Sequence, residues 1–160
     1  PGFGIKEAAV TLVGQSVGAR RSDLSKRFAL LTTACGMIVM TVSGALMYAI
    51  CPAVFAFLTT DEAVRALAVR VLRIELFAEP LFAAAIVASG ALRGAGDTLV
   101  PGIMNLVSLW GVRIILTVIL VPRFGLYGAW IAMGIELCFR GTIFLVRLAS
   151  TKWEKAAYAG

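Results

Sequence analysis

From Phe28 to Thr60 the chain carries no charged residue. An α-helix rises about 1.5 Å per residue, so about 20 residues cross the hydrocarbon core of a bilayer. The run therefore exceeds one span. Pro52 divides it, because proline lacks the amide donor that a helix interior needs. We expect a helix over residues 28–50, then a short turn or interfacial segment carrying Phe55, Phe57 and Leu58. Charged residues make up 15% of the whole chain and the mean hydropathy is +0.92. A soluble domain carries roughly 25% charge. The expected fold class is all-α, a polytopic transmembrane helix bundle.

The remaining spans follow from the same reading. Thr59-Thr60-Asp61-Glu62 has the Thr-x-x-Glu spacing of a capping box and opens a helix over residues 63–92. Gly94-Ala95-Gly96-Asp97-Thr98 breaks that helix. Asp97 or Thr98 can cap the next one, residues 99–121, with Pro101 tolerated in its first turn. Pro122-Arg123-Phe124-Gly125 reads as a tight turn before a last span, residues 126–146. The first apolar stretch, residues 8–19, is too short to cross and reads as a partial helix within residues 1–19. The expected bundle fills residues 1–150 with one partial and four complete spans. Residues 151–160 are expected to be a cytoplasmic tail whose end, residues 156–160, is exposed and weakly ordered. The start at Pro1, without a basic leader or cleavage site, reads as a piece of a longer product and not as a signal peptide.

The net charge of +6 does not form a basic stripe with interleaved aromatics, so no nucleic-acid partner is expected. The basic residues lie mostly in gaps between apolar runs. Arg20, Arg21, Lys26, Arg27, Arg93, Arg147, Lys152 and Lys155 fall in alternate gaps, with Arg123 in the others. The positive-inside rule then puts residues 20–27, residues 93–98 and the C-terminus in the cytoplasm of a multi-pass cell-membrane protein. There is no histidine, and Cys35, Cys51 and Cys138 form no C-x-x-C pair. A zinc or haem site, a Cys/His nucleophile and any enzyme activity are not expected, nor is a cofactor.

A few charges sit where a bilayer penalises them by several kcal/mol unless they are paired or hydrated. Glu79 lies about 24 Å along its helix, at or past the bilayer middle, with Glu75 one turn earlier on the same face. Pro80 follows directly and frees a carbonyl one turn back. A carboxylate beside such a break suits ion coupling; the alternative is a structural ion pair with Arg73 or an arginine of a neighbouring helix. Arg113 lies in mid-helix and is expected to meet a carboxylate. Glu136 and Arg140 stand i, i+4 with the acid first, which reads as self-neutralisation. The coupling candidates are therefore Glu79, Glu75, Glu136 and Arg113. Trp153 beside its lysines reads as an interfacial anchor. Gly14-x-x-x-Gly18 and Gly90-x-x-x-Gly94 are small-x-x-x-small patterns that permit close helix packing.

Four stretches, in order, resemble one family. Leu12-Val13-Gly14-Gln15-Ser16-Val17-Gly18-Ala19 precedes a basic loop. Ser89-Gly90-Ala91-Leu92-Arg93-Gly94-Ala95-Gly96-Asp97-Thr98 is followed by Pro101. Trp110-x-x-Arg113 comes next, and then Gly125-Leu126-Tyr127-Gly128-Ala129-Trp130-Ile131-Ala132-Met133. Together they resemble helices eight to twelve, the C-terminal lobe, of multidrug and toxic compound extrusion (MATE) transporters. The resemblance implies a two-lobe, twelve-helix fold whose N-terminal lobe is a missing partner. It also implies export of hydrophobic or cationic small molecules in exchange for H⁺ or Na⁺. A flippase for lipid-linked saccharides, from the same broader superfamily, is the alternative. Some branches of the family carry a tenth-helix acid at the place where this chain has Phe82; Glu79 is one turn earlier.

Overall fold

The computed structural model describes residues 1–159, all of it helix and connecting turn. Helix α1 spans Gly2–Gly18, α2 Ser22–Leu58 and α3 Glu62–Gly94. Helix α4 runs over Leu99–Phe124 and contains a π-wound stretch, Ser108–Ile114. Helix α5 is Leu126–Ala149, and a short α6 follows at Lys152–Tyr158. No strand occurs among the described residues. Helices α2, α4 and α5 are long and apolar enough to cross a membrane. Helix α3 has the length but carries Arg65, Arg70, Arg73, Glu75 and Glu79 toward its Glu62 end. It packs along its length against both α2 and α5 and so lies at their depth.

The expected break at Pro52 is absent: α2 continues through it to Leu58. Proline at position 52 leaves the Tyr48 carbonyl without its usual amide donor. The Cys51 thiol donates to that carbonyl instead, at 3.4 Å. The turn expected at residues 122–125 also shrinks. Helix α4 carries Pro122 in its last turns, and Gly125 alone reverses the chain at φ +61°. Asp61 caps α3, accepting from the amides of Ala63 and Val64, while Thr59 accepts only from the Asp61 amide. The Thr59–Glu62 capping box is thus replaced by a single aspartate. At α4 neither expected cap forms, because Thr98 makes no capping bond and Asp97 pairs with Arg147 at 2.9 Å.

The two glycine patterns pack on each other. A β-carbon at Gly14 would meet the Gly94 carbonyl at 3.3 Å, and one at Gly94 would strike the Val10 backbone. Gly141 of α5 likewise lies against the Leu81 backbone, leaving no room for a side chain. With lipid as the alternative solvent, such close backbone approach replaces hydrophobic collapse as the source of helix association. The core gathers at the Gly94 end of α3, where Ala85, Ala88, Ala91 and Leu92 meet Ala9, Val13, Phe144 and Leu148.

The C-terminal segment is not the loose tail expected. Trp153 is fully buried in that core and donates from Nε1 to the Leu148 carbonyl, so it is no interfacial anchor. Tyr158 and Ser25 share a 2.9 Å hydroxyl bond, and Lys26 faces Glu154 at 4.0 Å. Its lysines remain exposed while the indole turns inward, because α6 folds back beneath α2 and α5.

Candidate functional site

Two groups of charges lie inside the bundle. The first is built on α4 and α5. Glu136 is completely buried, and its Oε1 accepts from Arg140 Nε at 2.7 Å and Nη2 at 2.6 Å. The same oxygen accepts from the Ser108 hydroxyl at 2.6 Å. Ser108 opens the π-wound stretch, so this bond ties the irregular part of α4 to α5. A wide turn inside an α-helix is a frequent companion of function. The i, i+4 spacing announced the arginine; the serine, from a different helix, left no signal in the sequence.

The second group is built on α2 and α3. The stem of Glu79 lies beside Gly44: a β-carbon there would sit 3.8 Å from Glu79 Cβ and Cγ, in ordinary contact. Its Oε2 is buried and has no hydrogen-bond partner. Glu75, one turn away, is half-buried. Neither carboxylate forms an ion pair among the described residues. The alternative partner, Arg73, points elsewhere. Its guanidinium stacks on the Tyr48 ring at 4.6 Å, and its Nε is also buried without a partner. Arg113 lies half-buried in the π-wound stretch; it makes no ion pair within 4 Å among the described residues, but its charge is near enough to act on the Glu75 carboxylate across the α3–α4 gap. Glu136 is held by Arg140 and Ser108.

Depth follows from helix length. Arg73 stands 20 residues, about 30 Å, from Arg93, which is the thickness of the hydrocarbon core. Glu79 stands about 21 Å from Arg93 along the same helix, less than that thickness.

An all-α bundle of membrane-crossing helices, with unpaired carboxylates at membrane depth, has the build of a secondary transporter. The MatE family model matches residues 1–119. A probable multidrug resistance protein NorM of Thermotoga maritima is 30% identical over 159 residues, covering 98% of this chain and 34% of that protein. The multidrug and toxin extrusion protein 2 of mouse is 25% identical over 157 residues, covering 97% of this chain and 27% of that protein. The chain belongs to the MATE family of transporters. It spans about a third of the length of the curated relatives it matches.

Proposed function

We propose that the chain supplies helices eight to twelve of a cation-coupled exporter of hydrophobic or cationic compounds, with Glu79 as the exchange residue. The observation that carries this reading is that Glu79, beside Pro80, has a buried oxygen without a hydrogen-bond partner and, among the described residues, no cation paired to either oxygen. Glu136 also has one buried unpartnered oxygen, but it is paired through its other to Arg140. A carboxylate with no protein partner is available to H⁺ or Na⁺, and to a cationic substrate competing for the same charge. Glu75 extends the negative field by one turn. Glu136 is the weakest of the acidic candidates, since an arginine and a serine already occupy it. The cytoplasm is assigned to the Gly94 end, where most loop cations collect. Arg65, Arg70 and Arg73 stand at the other end and reduce that asymmetry without reversing it.

Arg113, half-buried and in no ion pair within 4 Å although its charge reaches Glu75, favours the second reading, a flippase whose cavity holds an anionic lipid-linked saccharide. The two readings separate in proteoliposomes of the complete transporter. The exporter reading expects drug movement that follows an imposed proton or sodium gradient, with no movement of a fluorescent lipid-linked sugar. The reverse pattern would establish the flippase.

A further inference from the structure

The winding of α4 decides where Arg113 points. Ser108 is buried against Glu136 of α5, so its side of α4 faces the bundle. In α-winding five residues turn about 500°, and Arg113 would stand about 140° round from Ser108. In the π-wound stretch, Ser108–Ile114, amides bond five residues back, so five residues close little more than one turn. Arg113 is thereby brought round nearly above Ser108, on the inward side. Burial agrees: Val112 and Arg113 are half-buried, while Gly111 and Ile114 on either side are exposed.

Glu75 occupies a matching strip of α3. Leu76 and Glu79 lie beside Gly44 of α2. Ile74 and Ala78 line a cleft with Ile131 and Gly134 of α5. At about 100° per residue, Glu75 falls between those two flanks, one turn from Glu79. Helix α5 packs on both α3 and α4, but α3 and α4 scarcely touch each other. Glu75 and Arg113 stand on opposite sides of the resulting gap, farther apart than the 4 Å of an ion pair. The Arg113 charge nonetheless acts on the Glu75 carboxylate. Two other arginines near the acids are engaged: Arg140 holds Glu136, and Arg73 stacks on Tyr48.

We infer that Arg113 is the internal counter-cation of the exchange site: its guanidinium closes onto Glu75 when neither ion nor substrate is bound, and a cation taken up at the carboxylates displaces it. The inference rests on the exporter reading proposed above and gives Arg113 a positioning role in it. Two carboxylates without a partner are costly at membrane depth. A tethered guanidinium neutralises the site as cargo leaves, and so favours release. Because it competes with cargo for Glu75, it also weakens binding. Affinity and turnover are therefore set against each other by one side chain.

The test uses the complete transporter and tetraphenylphosphonium, a permanent cation, as the probe. Equilibrium binding is measured in detergent and gradient-driven transport in proteoliposomes. Arg113→Gln should bind the cation several-fold more tightly, with KM and kcat both lowered several-fold. Arg113→Lys should stay near the unsubstituted protein. In a Glu75→Gln background, Arg113→Gln should change binding little, because the partner is gone. An arginine with a purely structural role would lower folded yield and leave KM in place. Should Arg113→Gln fold poorly, Glu75→Gln in the same chain should restore the yield. Unchanged or weaker binding by Arg113→Gln, an equal gain with and without Glu75, or no such rescue would overturn the inference and leave the exporter reading standing. An unsubstituted transporter that neither binds nor moves the cation would overturn both.

Discussion

Glu136 and Glu79 are acids at membrane depth in one bundle, yet their surroundings are opposite. Glu136 has three donor contacts on one oxygen and no exposed surface. Each acid has a buried Oε2 without a hydrogen-bond partner, but Glu79 has no ion-pair partner on either oxygen among the described residues. The difference lies in the neighbours. Helix α5 carries its own arginine one turn after the acid, and α4 adds a hydroxyl where it widens. Helix α3 has its arginine six residues before Glu79, and Tyr48 holds that guanidinium away from the acid. One acid is held by an arginine and a serine, and the other, on the reading proposed above, is the exchange residue.

The comparison predicts unequal costs of substitution. Glu136→Leu strands Arg140 in the bundle and should cost about 3–5 kcal/mol, while Glu136→Leu with Arg140→Met should recover most of it. Thermal unfolding of the detergent-solubilised transporter measures both. An equal loss in the single and double variants would break the assignment of Glu136 to structure.

The contrast also needs α5 seated against α3. Gly141→Leu forces a side chain into the Leu81 backbone and should cost about 1–3 kcal/mol, read by the same unfolding assay. A third effect is smaller. Cys51→Ala leaves the Tyr48 carbonyl without a donor and should cost about 1 kcal/mol, loosening the support beneath Arg73. The smallest is Gly18→Ala: nothing lies within 4 Å of the added carbon, so stability should hold or rise by up to about 1 kcal/mol. A loss there as large as that at Gly141 would mean that α1 packs differently.

Much of this was legible from residues alone. Charge-free runs gave the membrane bundle, and the i, i+4 spacing gave the Glu136–Arg140 pair. What escaped depends on contacts between distant segments or on small local chemistry. The thiol of Cys51 repairs a carbonyl that Pro52 orphans, so a reading that stops helices at proline ended α2 too early. Trp153 looked interfacial because its neighbours are lysines; the fold-back of α6 decides otherwise. That Arg73 stacks on Tyr48, and does not pair with Glu79, follows from rotamers that no spacing encodes.

Gradient-driven transport by Glu79→Gln in the complete transporter, reconstituted in proteoliposomes, tests the central claim most directly. The substitution keeps the shape of the side chain and removes its exchangeable charge. The account predicts unchanged yield and thermal stability with transport lost under both proton and sodium gradients. Transport at the unsubstituted rate, in protein of the same stability, would contradict it.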